Sequence, residues 1–273
     1  MKALRLLFAF GACAVLISCQ PHTDMLPFAS PESVGMSSKR LELLDAAVES
    51  GIQRGDFPGA VVLVARKGRC VWRKSYGDSQ TVPEKIPMEV SMIFDVASIT
   101  KPVATATSLM ILLEQGRIRL WDRVRDYVPE FTSCKGPETQ PVDEARIWHL
   151  LTHTSGLPPY ADPEEVKKAV EHPVTLEQLV SYIARMEKPY PPGERFQYSC
   201  LGYITLGYII EKISGKTLAE FARENIFKPL GMRDTAFAPS EDLRSRCVPT
   251  LVIDGKPLVG EVHDPLARLL GGV

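Results

Sequence analysis

Hydrophobic residues recur at helical spacing through residues 38–54, where Leu41, Leu44, Val48 and Ile52 share one face and Ser37 or Ser38 is positioned to cap the first turn. The spacing predicts an amphipathic helix there. The period then changes: residues 60–65 and 70–76 are short apolar-rich runs on either side of Lys67-Gly68, the pattern of two antiparallel strands and a tight turn. Beyond Pro102, an apolar helix through Val103, Thr107, Leu109, Met110 and Leu113 is predicted, buried on most sides and ending at Gln115-Gly116. Thr175-x-x-Gln178 is a capping box that opens another amphipathic helix through Leu179, Ile183 and Met186. Residues 201–213 form one more helix, ended by Gly215, and Thr217-x-x-Glu220 is a second capping box. Pro-rich stretches at 129–141 and 189–193 read as loops. The order is strands, a mainly helical lobe over about residues 101–235, then a return to strands. That order predicts an α+β fold with an antiparallel sheet flanked by helices and a cleft between sheet and helical lobe.

The N-terminus has a different pattern. Lys2 and Arg5 precede an apolar run over residues 6–17 that is too short to span a bilayer, so residues 1–18 read as a secretion signal. Leu16-Ile17-Ser18-Cys19 resembles the cleavage box of bacterial lipoproteins, which makes Cys19 the expected acylated residue. Residues 19–36 then read as a tether and 37–273 as one globular domain, held at the periplasm-facing side of the bacterial cell envelope by a lipid anchor in the membrane. The 273 residues are 45% hydrophobic, enough for a sizeable core, and carry a net charge of −1 without basic runs. That balance argues against nucleic acid as a partner. Of six cysteines, Cys13 falls in the signal and Cys19 at the anchor. Cys70, Cys134, Cys200 and Cys247 remain, and the sequence selects none of their three pairings.

The candidate chemistry centres on Ser98-Ile99-Thr100-Lys101, where an extended apolar run, residues 93–97, meets the helix that Pro102 begins. On a helix, positions three apart lie on one face about 5 to 6 Å from each other, so the Lys101 amine can reach the Ser98 oxygen. A serine hydroxyl is a weak nucleophile that needs a neighbouring base. A helix start also points backbone N–H groups at a developing oxyanion. By spacing alone, an ordinary helix N-cap on a solvated face fits the same four residues.

Several segments in order resemble the serine hydrolases that include class C β-lactamases, D-alanyl-D-alanine carboxypeptidases and related esterases. They are Phe57-Pro58-Gly59-Ala60-Val61-Val62, Phe94 to Pro102 around Ser98, Leu150-Leu151-Thr152-His153-Thr154-Ser155-Gly156-Leu157, Pro192-Gly193-Glu194-Arg195-Phe196-Gln197-Tyr198-Ser199, and Pro229-Leu230-Gly231-Met232 with Thr235. The resemblance implies a β-lactamase/transpeptidase-like fold, with Ser98, Lys101 and Tyr198 as catalytic residues and no cofactor. It also implies an acyl-enzyme formed on a β-lactam, a peptidoglycan-derived D-Ala peptide, or another small-molecule substrate such as an ester. There are two departures. Cys200 stands where the family's Tyr-Ser-Asn loop has asparagine. No Lys-Thr-Gly triplet occurs either, since Gly215-Lys216-Thr217 has the letters in another order. Residues 262–273 resemble the family's approach to that third motif, so the C-terminal strands of the sheet are expected to be missing from these 273 residues. A catalytically inactive relative that acts as an envelope binding protein is the competing class.

Other constellations carry less. His149 and His153 have zinc-site spacing, but position 150 is leucine rather than the glutamate base of a metalloprotease, so a loop-fixing role and no metal are expected. Ser155-Gly156 lacks a Gly-x-Ser-x-Gly context because position 153 is histidine. His263 and Asp264 are adjacent and poorly placed to form a relay with each other. Cys200 has no histidine beside it and is expected to be an inert buried thiol.

Overall fold

The hairpin anticipated around Lys67-Gly68 forms from β1, Gly59–Arg66, and β2, Arg69–Gln80. Lys67 and Gly68 both take positive φ, 51° and 70°, the turn whose twist matches that of the two strands. Pairing runs from Gly59 opposite Gly77 to Arg66 opposite Arg69, with a register shift between Val64 and Ala65. A short β3, Ile86–Pro87, adds to the other edge of β2, giving a three-stranded antiparallel sheet in the order β1-β2-β3. The structure is a computed structural model that describes residues 26–131 and 144–270. The expected signal, Cys19, the first part of the tether, Cys134 and residues 271–273 lie outside the described residues.

The helix expected over residues 38–54 is present in two pieces, α1 at Ser38–Leu41 and α2 at Leu43–Arg54, separated at Glu42. Ser37 supplies the cap, its hydroxyl accepting the Arg40 N–H at 3.4 Å. Asp45 of α2 accepts hydrogen bonds from Tyr76 Oη at 2.8 Å and Lys74 Nζ at 2.7 Å, which joins this helix to the sheet.

The helix after Ser98 differs from the expectation. Residues Lys101–Ala106 are wound as a π-helix, and the regular helix α3 begins only at Thr107 and ends at Glu114. Pro102 has no N–H to give the Ser98 carbonyl, so the usual i→i−4 ladder does not set the first turn. Instead the Thr107 hydroxyl donates to the Pro102 carbonyl at 2.8 Å. Burial is also one-sided: Leu109 and Leu112 are fully enclosed, whereas Met110 is exposed.

The rest of the lobe comprises α4 (Ile147–Leu151), α5 (Pro163–Ala169), α6 (Leu176–Arg185), α7 (Cys200–Ser214) and α8 (Leu218–Ala222). Both anticipated capping boxes form, Thr175 with Gln178 and Thr217 with Glu220, and Gly215 ends α7 at φ 74°. Leu201, Leu206, Ile209 and Ile210 of α7 are fully buried in the main core with Leu150, Leu179 and Ile183. Each such side chain contributes about 1.5–3 kcal/mol, more than the roughly 1 kcal/mol of a typical hydrogen bond, so apolar burial fixes α7. Beyond the lobe lie α9 (Glu241–Arg244), a hairpin of β4 (Val252–Ile253) and β5 (Lys256–Pro257), and α10 (Pro265–Arg268). The return to strands is therefore a separate two-stranded sheet among the described residues. Ile93 N–H donates to Arg246 O at 2.9 Å and Val248 N–H to Ile93 O at 2.8 Å, a parallel bridge that pins the approach to Ser98. Among the described residues, no helix is long and apolar enough to cross a membrane.

Gly156 is buried, has φ 80°, and an added Cβ would sit 2.1 Å from the Tyr190 carbonyl oxygen. Gly116 has a similar φ of 68° but nothing within 4 Å. Gly116→Ala should cost about 1 kcal/mol from backbone strain alone, and Gly156→Ala at least about twice that, because a backbone carbonyl must also move. Urea midpoints of the two variants test this.

Candidate active site

Ser98 lies in a tight turn of residues Ala97–Ile99, entered through Ala97 at φ 45°. A left-handed alanine is unfavourable by about 1–2 kcal/mol, so this conformation needs support from its surroundings. Asp95 supplies some of it: its Oδ1 accepts the Ala97 N–H at 2.8 Å. Lys101, the first residue of the π-helix, turns its Nζ back to Ser98 Oγ at 3.1 Å. Tyr198 comes from one hundred residues away and donates its hydroxyl to the same Ser98 oxygen at 2.8 Å. The structure thus brings Ser98, Lys101 and Tyr198 together. Cys19 is outside the described residues.

Backbone bonds and the core hold Tyr198 in this position. The Ser199 hydroxyl donates to Pro158 O at 2.6 Å, Cys200 N–H to Pro159 O at 2.9 Å, and Gln197 N–H to His153 O at 2.8 Å. His153 completes the contact, its Nδ1 accepting the Ser199 N–H at 3.2 Å. Its ring lies 4.5 Å from that of Tyr198 and 5.1 Å from that of Tyr203, whose hydroxyl donates to Leu151 O at 3.1 Å. Lys101 Nζ stands 5.3 Å from the Tyr198 ring centre and 5.9 Å from that of Tyr203, so two electron-rich faces flank the cation. Burial pushes the Tyr203 phenol up, against the opposing effect of Lys101.

Ser98 and Lys101 open onto a cavity of about 290 Å³, walled by apolar side chains that include Phe94, Val103, Leu218, Phe227, Phe237 and Val248. Lys101 is the one lysine or arginine on its wall among the described residues, and Asp95, Asp234, Glu261 and Asp264 are the acids. Cys200 departs from expectation: it is half-buried and lines this cavity, because it is the first residue of α7 beside the cleft. His149 and His153 each use Nδ1 for a backbone N–H, of Arg146 at 2.9 Å and of Ser199 respectively. Among the described residues, no group of three or more His, Cys, Asp or Glu side chains is arranged to hold a metal.

Sequence reasoning missed Asp95. His263 does have a carboxylate partner, but it is Asp95 rather than Asp264: His263 Nδ1 lies 2.9 Å from Asp95 Oδ2. Burial pushes the Asp95 carboxyl up, yet the bonds from His263 and the Ala97 N–H outweigh it and hold the group below the usual carboxylate range. Asp264 instead caps α10 through Ala267 N–H at 2.9 Å and accepts the Tyr160 hydroxyl at 3.0 Å. An aspartate two residues before a turn was the available signal, since its side chain commonly accepts such an N–H.

Burial and the nearby charge of Lys101 both lower the His153 pKa. The folded protein therefore protonates His153 less readily than the unfolded chain, whose imidazole titrates near 6.5. The resulting stability is present above about pH 6.5 and is lost as pH falls through the folded value. His153→Asn keeps an acceptor for Ser199 N–H and tolerates the positive φ of 58°. Its urea midpoint should fall less than that of the parent between about pH 7.5 and pH 5.

A family model described as Beta-lactamase matches residues 44–266. A putative D-alanyl-D-alanine carboxypeptidase of Escherichia coli K12 is 28% identical over 98% of this chain and 63% of its own length. The chain thus spans less than two thirds of that relative. Among solved structures, EstCE1, a hydrolase with promiscuous acyltransferase activity, is 27% identical with a TM-score of 0.66, covering 80% of this chain and 58% of its own. A class C beta-lactamase from Rhodobacter sphaeroides is 25% identical with a TM-score of 0.66, covering 84% and 60%. With helices set against an antiparallel sheet and a family match over most of its length, this chain belongs to the beta-lactamase family.

Proposed function

We propose that the chain is the catalytic part of a serine hydrolase acting through a covalent acyl-enzyme. The observation that carries this reading is the convergence of Lys101 Nζ and Tyr198 Oη on Ser98 Oγ, at 3.1 and 2.8 Å. In the reaction, Lys101 first gives up a proton to solvent. Ser98 Oγ then bonds to the substrate carbonyl carbon while its proton passes to the neutral Lys101 amine, directly or relayed through the Tyr198 hydroxyl, which hands on its own proton as it takes that of Ser98. The same pair returns that proton to the leaving group as the carbonyl re-forms, and water or another acceptor then releases the acyl group. Ser98 N–H serves as one donor to the oxyanion. No cofactor takes part in these steps.

The substrate classes compatible with this chemistry are β-lactams, D-Ala-type peptides and esters. The cavity suits an apolar acyl group, because its wall is rich in apolar side chains, and three of the four carboxylates on it are already paired, Asp95 with His263, Asp234 with Arg246 and Glu261 with Arg244. A small ester is therefore the first substrate to try. We also propose that Cys19 carries a lipid anchor at the cell envelope, on the strength of the Leu16-Ile17-Ser18-Cys19 pattern.

Exposure to a fluorophosphonate should add one adduct, mapped to Ser98 by peptide mass. Ser98→Ala and Lys101→Ala should lower hydrolysis of a p-nitrophenyl ester by about 10³-fold or more, and Tyr198→Phe by about 10²-fold, with folding retained. A folded chain that takes no adduct and turns over neither ester nor penicillin would support the binding-protein class instead. For the anchor, Cys19→Ala should move the protein from the detergent phase to the aqueous phase on detergent partitioning of cells that express it.

A further inference from the structure

We infer that His263 is a positioning residue: through Asp95 it clamps the Ala97-Ser98 turn and so fixes the Ser98 oxygen and N–H for acylation. This rests on the serine-hydrolase reading above. Ala97 holds the unfavourable left-handed conformation immediately before Ser98. The Asp95 carboxylate spans two contacts, accepting Ala97 N–H at Oδ1 and His263 at Oδ2. A carboxylate bound on one oxygen alone can rotate about its last bond. Bound on both, it is locked, and the turn is locked with it.

His263 is itself well held. Arg268 Nε donates to Val262 O at 2.9 Å and its Nη2 to His263 O at 3.1 Å. On the next residue, Asp264 accepts Tyr160 Oη and the Ala267 N–H, while Leu266 is fully buried in the main core. The imidazole thus transmits the rigidity of the helical core across 168 residues of sequence to the serine turn. Because an ionised carboxylate only accepts, the nitrogen facing Asp95 is the one that carries the proton.

The test follows the rate of fluorophosphonate labelling in the parent chain, His263→Ala and His263→Asn, together with amide exchange of Ala97 in a Ser98→Ala background. Asparagine presents an amide nitrogen at the position of Nδ1. His263→Ala should slow the saturating labelling rate by about tenfold or more with the half-saturating probe concentration unchanged, and His263→Asn should restore it to within about threefold of the parent. Ala97 exchange should quicken in His263→Ala and recover in His263→Asn. Equal labelling rates in all three chains, or a loss in His263→Ala that His263→Asn does not recover, would overturn the clamp. A parent chain that takes no label would instead remove the hydrolase reading. Ala97 exchange then decides the clamp alone: faster exchange in His263→Ala keeps it, and unchanged exchange removes it.

Discussion

Tyr198 must be held against Ser98 across one hundred residues of chain, and much of the helical lobe serves that single contact. A phenol and a serine hydroxyl gain only about 1 kcal/mol net from one hydrogen bond, far too little to order two segments by themselves. The order comes from elsewhere. Four fully buried side chains anchor α7, and the residues just before it are joined to residues 153–159 by backbone and side-chain bonds. Apolar burial sets the helix, the helix sets its N-terminal loop, and the loop delivers the phenol.

The serine side of the contact is organised differently. Here the chain adopts conformations that a regular helix avoids: a left-handed alanine, a three-residue tight turn and a π-wound stretch around Pro102. Irregular backbone of this kind persists where its neighbours over-determine it. Those neighbours are Asp95 at the Ala97 N–H, the Ile93 bridge to residues 246–248, and Thr107 at the Pro102 carbonyl. The result is a hydroxyl at the mouth of an apolar cavity with an amine and a phenol on it.

Charge around the site is arranged with economy. Lys101 sits against two aromatic faces, and its charge helps keep the neighbouring His153 neutral and able to accept the Ser199 N–H. His153 is thus a structural acceptor that links the Lys101 environment to the loop carrying Tyr198. His149 does similar work at the start of α4, where its Nδ1 accepts the Arg146 N–H. Both histidines of the zinc-like pair fix backbone, and backbone fixing is what the missing glutamate between them suggested.

Local chemistry was legible in the sequence because it depends on neighbours in the chain. The Lys67-Gly68 hairpin, the two capping boxes and the Gly215 helix end follow from turn and cap preferences that act within a few residues. The Ser98–Lys101 proximity belongs to the same class, since three residues separate them. Tyr198 was reached only through resemblance, because nothing within a few residues of it marks it as more than a packed aromatic. Tertiary structure alone decided the rest: that Lys101–Ala106 winds as a π-helix, that Cys200 faces the cavity, and that His263 pairs with Asp95 rather than with adjacent Asp264. Each of those outcomes depends on which distant surfaces meet when the core closes, and hydrophobic burial, being non-directional, writes no local signature of its long-range partners.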